Sequence, residues 1–138
     1  MIILVIGLGS IAKKHVDAIY ALKPSATIYA LRRYRATYKS YKEVINISSI
    51  DEIQAKINII IISNITSAHE ATIMSMLKLG CPIFIEKPVL SDLKNASVIS
   101  AKLNKRNILT YVACNLRFHS GLKFLKKYLN DVIKNYAG

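Results

Sequence analysis

Cysteine is scarce in this sequence, which contains two, Cys81 and Cys114, among 138 residues. Neither lies in a CxxC pair or beside a histidine at the spacing of a metal ligand set. Both fall within apolar runs, where free cysteines are usually buried. The missing ligand spacing therefore predicts no metal site, and the apolar surroundings predict two buried, reduced thiols. A domain of this length can bury enough surface to fold without a disulfide or metal staple.

Long hydrophobic runs are also missing. The longest, Met1–Ile6 and Ile59–Ile62, are far too short to cross a bilayer. Met1 leads straight into an apolar stretch, without the positively charged region with which a secretory signal begins. We therefore expect no membrane partner and a location in the reducing cytoplasm.

Acidic residues are few: 8 Asp and Glu stand against 20 Lys and Arg, which gives a net charge of +12. Such an excess can mark a nucleic-acid partner. Bases, however, need aromatic platforms interleaved with basic groups, and the sequence shows no such stripe. Because most of the lysines are scattered along predicted helix faces, we interpret the charge as a solvated basic surface and expect no nucleic-acid site.

The sequence does contain an alternation of strand-like and helix-like segments. Continuous apolar runs predict strands at Ile2–Ile6, Thr27–Leu31, Ile57–Ser63, Pro82–Ile85 and Ile108–Ala113. Apolar residues at helical spacing predict helices at Ile11–Leu22, Ser67–Leu79, Ser91–Leu103 and His119–Ile133. The stretch Tyr34–Ser49 is predicted to be loop with one short strand.

The predicted strands are apolar almost throughout, which indicates burial on both faces and hence a parallel sheet covered by helices. Right-handed crossovers then predict an α/β, doubly wound, Rossmann-type fold. Two helix starts look well marked, because Ser67 with Glu70 fits a capping box and Ser91 is a candidate N-cap. We expect residues 1–138 to form a single domain. The last helix runs almost to Gly138, so we interpret the chain as a domain cut from a longer protein or a truncated gene product.

A glycine-rich turn follows the first predicted strand. The residues Gly7-Leu8-Gly9-Ser10-Ile11-Ala12 fit the pattern G-x-G-x-x-[G/A] between a strand and an amphipathic helix. Gly7 permits the tight turn, Gly9 lets a pyrophosphate approach the backbone, and Ala12 lets the helix lie close to the strand. The N–H groups near Ser10 and Ile11 can bind phosphates at the positive end of the helix dipole. The pattern predicts an NAD(P) site, and the alternative is a turn that needs glycine for its geometry alone.

Basic residues stand where the second predicted strand ends. A Rossmann domain usually carries an acidic residue about 20 positions after the third glycine, where it binds the adenine ribose 2′-hydroxyl. Here that count reaches Arg32, which is followed by Arg33 and Arg35, and no acidic residue occurs nearby until Glu43. A guanidinium suits a 2′-phosphate, so the cluster favours NADP over NAD. Arginine can also stack on adenine, which leaves NAD open, and a solvated charge cluster is the plainer alternative.

Further motifs follow the glycine turn in a characteristic order. The set consists of Gly7–Ala12 with His15, Ser63-Asn64 with His69, Gly80 with Glu86-Lys87-Pro88, and Asn115-Leu116-Arg117-Phe118. With these motifs the sequence resembles the Gfo/Idh/MocA oxidoreductases, which act on sugars, inositols and related polyols. The resemblance covers nearly all of the chain, and Glu-Lys-Pro after a short strand is its most specific part.

The resemblance implies hydride transfer between a nicotinamide and a secondary alcohol carbon. It places Lys87 at the nicotinamide, in contact with the reacting hydroxyl, where an ammonium can stabilise developing negative charge. It places Glu86 toward the nicotinamide ribose, Ser63 and Asn64 in the loop along the cofactor, and His69 on the helix after that loop.

The same resemblance places Asn115 and Arg117 near the mouth of the active site, as candidate substrate contacts. Plainer alternatives exist for several residues: Lys87 could be a surface lysine, His69 a structural histidine, and Arg117 the partner of a carboxylate. We interpret His15 and His119 as structural, because the sequence shows no carboxylate that would orient either.

The resemblance also implies a second α/β domain with an open antiparallel sheet. In the family that domain supplies substrate contacts, an acid/base residue and usually the oligomer interface, and it has no counterpart in these residues. A general base must reach the proton that it removes, and the sequence offers no clear candidate. We therefore expect an inactive cofactor-binding half of a sugar or polyol oxidoreductase, homo-oligomeric in its full length. The alternative is a non-catalytic module that binds NADP(H) or docks on a partner.

Overall fold

Six strands form one parallel sheet in the computed structural model, which describes residues 1–33, 39 and 41–136, the last four by their backbone alone. The strands are β1 (Ile2–Ile6), β2 (Thr27–Leu31), β3 (Ile45–Ile47), β4 (Ile59–Ile62), β5 (Ile83–Ile85) and β6 (Thr110–Val112). Their order is β3-β2-β1-β4-β5-β6, with parallel pairing throughout. The predicted doubly wound sheet is confirmed.

Among the described residues, α-helices lie between β1 and β2, between β4 and β5, and between β5 and β6, and one more follows β6. The α-helices are α1 (Ser10–Leu22), α2 (His69–Met76), α3 (Ala96–Lys105) and α4 (Ser120–Tyr136). Short 3₁₀ turns occupy Ile50–Glu52, Thr66–Ala68, Leu77–Leu79 and Asn115–Phe118. The stretch Tyr34–Ser49, predicted as loop with one short strand, contains β3. Arg35, in the same stretch, lies outside the described residues.

Helices cover both faces of the sheet, as the apolar strands predict. The side chains buried on the face of α1 are Ile3, Val5, Leu8, Ala12, Val16, Ala26, Ile28, Ala30, Val44 and Ile61. The face of α2 and α3 buries Leu4, Ile6, Ile47, Ile57, Ile60, Ile62, Ile73, Met76, Leu77, Cys81, Ile83, Ile85, Ile99 and Ile108. Successive β1 residues alternate between the two groups because side chains of a strand point to opposite faces.

The two predicted helix caps are wrong. Ala68 precedes α2, and no side chain of the described residues caps that helix start, so Ser67 does not form the expected capping box. The Glu70 carboxylate instead accepts a hydrogen bond from Asn95 Nδ2 at 2.7 Å. Asn95 precedes α3, which therefore begins later than a cap at Ser91 implies. A contact between the starts of two helices thus replaces the local capping bonds.

The cysteine prediction is confirmed at one position and wrong at the other. Cys81 is buried, and burial raises the pKa of its thiol. Cys114 is exposed, because it follows β6 at the edge of the sheet, where the chain turns into the 3₁₀ segment Asn115–Phe118.

The apolar stripe predicted on the last helix forms but remains exposed. Leu122, Leu125 and Leu129 of α4 are 44%, 47% and 47% exposed. The main packing contacts of α4 are with the 3₁₀ segment before it. No described helix of the chain is both long enough and apolar enough to span a bilayer.

A polar cluster ties α1 to the segment before β3. Tyr41 Oη donates to Asp17 Oδ1 at 2.8 Å and to Oδ2 at 2.9 Å, and Lys42 Nζ pairs with the same carboxylate. The bonds from Lys42 and Tyr41 lower the pKa of Asp17, while the same carboxylate raises the pKa of each partner. The cluster holds the returning chain against the helix that starts at the glycine turn.

Candidate functional site

Hydrogen bonds between strand ends draw the loops after β1, β4 and β5 to one edge of the sheet. Ser63 N and Ser63 Oγ both donate to Ile6 O, each at 3.1 Å. Glu86 N donates to Ile62 O at 2.9 Å. The strand order reverses between β1 and β4, and a doubly wound sheet opens a ligand crevice at such a point.

A cleft of about 810 Å³ lies at this edge, a volume typical of small-molecule sites. Predicted cofactor residues that line it are Gly7, Gly9, Ser10, Ile11, Arg32, Arg33, Ser63 and Asn64. The other lining residues are Ile6, Leu31, Ser48, Ile65, Ala68, Ala71, Thr72 and Ser75. The structure thus brings together the glycine turn, the arginines after β2 and the loop after β4.

The two glycines of the turn stand in different surroundings. Gly7 has φ +84°, which favours glycine, and a β-carbon there would crowd Asn64 Cα at 3.1 Å. At Gly9 a β-carbon would meet no described atom within 4 Å. Gly9 therefore lacks a side chain where the cleft is open, and the fold itself does not require that absence.

The start of α1 presents backbone N–H groups to the cleft, and no side chain among the described residues caps them. Gly9 is its N-cap with an extended backbone, and no described side chain bonds to the first turn, which carries no acidic residue. The first N–H groups of a helix lack partners within the helix, and the dipole makes this end attractive to anions. Ala12 is fully buried beneath the turn, which agrees with its predicted packing position.

In the Asn64 side chain one polar atom has a hydrogen-bond partner and the other has none among the described residues. Its Nδ2 donates to Thr72 Oγ1 at 2.9 Å, whereas its buried Oδ1 has no hydrogen-bond partner among the described residues. A buried acceptor without a donor costs free energy, so this oxygen is suited to a hydroxyl or N–H of a ligand.

His69 lies behind the cleft rather than in its wall. It is 1% exposed, with Nε2 3.1 Å from Asn64 O, and with Nδ1 3.0 Å from Pro88 O and 3.2 Å from Val89 O. The ring therefore bridges the loops after β4 and β5. This geometry matches the structural alternative for His69 and gives the ring no direct route to the cleft.

Glu86 has a partner that the sequence interpretation missed. Its Oε1 lies 2.6 Å from His15 Nε2, although the two residues are 71 positions apart. The expectation that no carboxylate orients His15 is therefore wrong. The other oxygen, Oε2, accepts a hydrogen bond from Lys87 N at 3.2 Å, so both carboxylate oxygens have partners within the chain.

The remaining predicted residues lie on the neighbouring loops, outside the 810 Å³ cleft. Lys87 is exposed two residues after the end of β5. Asn115 and Arg117 are exposed in the 3₁₀ segment after β6, the strand that pairs with β5. Lys87 therefore follows one strand, and Asn115 and Arg117 follow the strand beside it, at the same edge of the sheet.

Several lining residues were not predicted, although the sequence carries a signal for some of them. Ala68, Ala71 and Ser75 recur three and four positions apart beside the cleft, as residues on one helix face do. Small side chains on such a face leave room for a ligand. Among the described residues, no group of three His, Cys, Asp or Glu side chains could hold a metal ion.

The parallel sheet, its strand order and the glycine turn at the crevice define a Rossmann domain of the dinucleotide-binding class. The sequence profile of the Gfo/Idh/MocA family, described as an oxidoreductase family with an NAD-binding Rossmann fold, matches residues 1–114. The chain belongs to this family.

Relatives of known activity share this domain. The chain is 25% identical over 142 residues to the inositol 2-dehydrogenase/D-chiro-inositol 3-dehydrogenase of Lacticaseibacillus casei, covering 94% of this chain and 40% of that protein. The WlbA dehydrogenase structure from Chromobacterium violaceum, in complex with NADH and UDP-GlcNAcA, has a TM-score of 0.82 at 18% identity, over 95% of this chain and 40% of that chain. The structure of myo-inositol 2-dehydrogenase from Lactobacillus plantarum has a TM-score of 0.79 at 16% identity, over 95% of this chain and 41% of that chain. The chain spans about 40% of the length of these relatives.

Proposed function

We propose that this chain binds NADP(H) or NAD(H) in the cleft, as the cofactor-binding part of an oxidoreductase that acts on sugar or polyol alcohols. The observation that carries the proposal is the start of α1. There Gly9 leaves open space where a side chain would stand, and the helix N–H groups have no side-chain cap among the described residues. A pyrophosphate suits this place because both the N–H groups and the helix dipole favour an anion.

The orphaned Asn64 Oδ1 gives a second point of fit. It lies in the loop after β4, next to the glycine turn, and its buried acceptor has no donor among the described residues. A cofactor that reaches along this loop would bring hydroxyl groups to it. Ser63 is buried, and its hydroxyl is bonded to Ile6 O, so we assign it to shaping the loop.

We further propose that NADP(H) is preferred over NAD(H). Arg32 and Arg33 line the cleft where the adenine ribose is expected, and Arg32 Nη1 lies 3.3 Å from Asn46 Oδ1 on β3. Two arginine side chains therefore line this end of the cleft, and a guanidinium suits a 2′-phosphate.

At the other end of the cofactor we assign Lys87 to the substrate oxygen, and Asn115 and Arg117 to substrate contacts. All three are exposed on loops that follow the paired strands β5 and β6. When bound, a nicotinamide supplies or accepts a hydride. The Lys87 ammonium would stabilise negative charge on the substrate oxygen. The inositol and nucleotide-sugar dehydrogenases among the relatives support a sugar or polyol substrate.

The proposal is tested by titrating the chain with NADPH and with NADH while cofactor fluorescence is recorded. We expect both to bind and NADPH to bind more tightly. Arg32→Asp combined with Arg33→Ala should remove the preference for NADPH. The matched control, Lys102→Asp combined with Lys105→Ala on α3, changes the charge equally away from the cleft and should leave the preference unchanged. Absence of binding would contradict the cofactor site, and equal wild-type affinities would contradict the NADP preference alone.

A further inference from the structure

The His15–Glu86 pair connects the helix of the glycine turn to the strand that precedes Lys87. His15 lies on the second turn of α1, and its Nε2 is 2.6 Å from Glu86 Oε1. The side chains are 22% and 13% exposed. Glu86 Oε2 accepts the Lys87 N–H at 3.2 Å. A partly buried carboxylate with a partner on each oxygen is held in one orientation, because turning it would break one bond to form another.

Aromatic packing fixes the plane of the His15 ring. His15 meets Phe84 edge to face, with ring centroids 5.3 Å apart and an interplanar angle of 74°. Phe84 in turn stacks on Tyr111 of β6, at 5.8 Å and 13°. Edge-to-face geometry of this kind is favourable and directional. With the ring plane set by β5, Nε2 is directed at the carboxylate that follows the same strand.

We infer that His15 is a positioning residue for Lys87, acting through Glu86. The contacts run from α1 to the Glu86 carboxylate and from that carboxylate to the Lys87 backbone N–H. They fix where Lys87 leaves β5 relative to the helix start that would hold the pyrophosphate. The functional part of this inference depends on the proposed cofactor site, whereas the positioning itself is a property of the chain.

Two substitutions at one position separate the hydrogen bond from the packing. His15→Phe keeps a ring beside Phe84 but removes the bond to Glu86. His15→Gln loses the ring, but its amide can reach the carboxylate as Nε2 does. Affinities for NADPH and for ADP should be measured for both variants, because ADP lacks the nicotinamide end.

We expect His15→Phe to weaken NADPH binding by about tenfold, the effect of losing one charge-assisted hydrogen bond, because Glu86 and the backbone after β5 would no longer be held beside the nicotinamide end, and to leave ADP binding unchanged. Lys87→Ala keeps the backbone N–H that bonds to Glu86, so it should not cause this loss. His15→Gln should restore most of the NADPH affinity. The inference is overturned if His15→Phe behaves as wild type, if His15→Gln is the weaker variant, or if ADP affinity falls equally.

An NMR measurement without nucleotide keeps the inference separate from the proposed function. The Lys87 amide resonance should shift in His15→Phe and return toward its wild-type position in His15→Gln. The His15 ring nitrogens should respond to Glu86→Gln. If the wild type bound neither NADPH nor ADP, the proposed function would fail while these shifts still supported the positioning. Unchanged Lys87 and His15 signals would overturn it.

Discussion

The two glycines of the turn meet different needs. Gly7 suits the backbone conformation of the fold, whereas Gly9 would matter only to a bound ligand. Gly7 combines a positive φ with a β-carbon position 3.1 Å from backbone of the neighbouring loop. Gly9 has an ordinary extended backbone and open space before it. The G-x-G spacing alone does not distinguish these roles, because a glycine needed for a turn and one needed for a ligand look identical in sequence.

Gly9→Val should abolish dinucleotide binding while leaving thermal unfolding nearly unchanged, because the added methyl groups would extend into the open cleft. Gly7→Ala should lower stability by about 1–3 kcal/mol, because a side chain is strained at positive φ. Thermal melts and NADPH titrations of both variants test this pair. A Gly9→Val protein that binds within about twofold of wild type would show that the turn is only structural.

Residues that follow a local pattern could be predicted from the sequence, and residues joined by the fold could not. The glycine turn and Arg32 lie at a set distance from a recognisable strand. The partner of His15 lies 71 positions away, and no local spacing indicates it. The exposure of Cys114 was likewise hidden, because an apolar run does not mark where a strand leaves the sheet.

At the scale of elements, α1 contacts both the loop after β5 and the segment before β3, and its start lies at the cleft. Its start faces the cleft, His15 reaches the loop after β5, and Asp17 holds Tyr41 and Lys42 ahead of β3. The helix thus sets the relative positions of the loops that would hold the two ends of a dinucleotide.

The Asp17 cluster should make stability depend on pH at both extremes. The pKa of Asp17 is lowered by Lys42 and Tyr41, so its contribution is present above the usual value of 3.8 and lost as pH falls through the folded pKa. The pKa values of Tyr41 and Lys42 are raised, so their contribution is lost as pH rises beyond 10.0 and 10.5. Asp17→Asn should lower the melting temperature at neutral pH and match wild type at strongly acid pH.

Asp131→Asn on exposed α4 provides the control for that measurement, since it makes the same change in charge without the cluster. Melting curves of the three proteins across pH decide the matter. A difference between Asp17→Asn and wild type that persists unchanged in acid would mean that the carboxylate charge is not what ties the segment to α1.

Element types were predictable where hydrophobic pattern decides them, and element starts were not. The isoleucine run of β4 predicts a buried strand, and in the structure side chains on both faces of β4 are covered. The start of α2 does not follow its serine signal, because Glu70 bonds to Asn95 across the fold. Propensity at helix ends is worth about 1 kcal/mol, which a tertiary contact can offset.

At the scale of the whole molecule, the chain carries the family's cofactor domain and spans about 40% of its relatives. Two titratable side chains near this edge of the sheet, His69 and Glu86, have partners within the chain. His69 has both nitrogens at backbone carbonyls, and Glu86 has both oxygens at His15 and Lys87 N.

We therefore expect the 138-residue chain to show no turnover with hexoses, inositols or nucleotide sugars. Orientation of the substrate and proton transfer together are worth many orders of magnitude in rate, so their loss should leave nothing measurable. An absorbance assay at saturating NADP or NAD tests this. Lys87→Ala should leave NADPH affinity nearly unchanged. Clear turnover would show that the catalytic base lies within the chain, and His69, His119 and Arg117 would then have to be reconsidered as parts of that site.

The most direct test of the account is to map bound NADPH by NMR on the isotopically labelled chain. If the pyrophosphate lies at the start of α1, the amide resonances of Gly9, Ser10 and Ile11 should shift most, together with the Asn64 side-chain amide, and α4 should be unaffected. Saturation should occur at one NADPH per chain. Shifts confined to the basic groove of Lys102, Lys105 and Arg106, or no saturable shifts, would contradict a dinucleotide site at this turn.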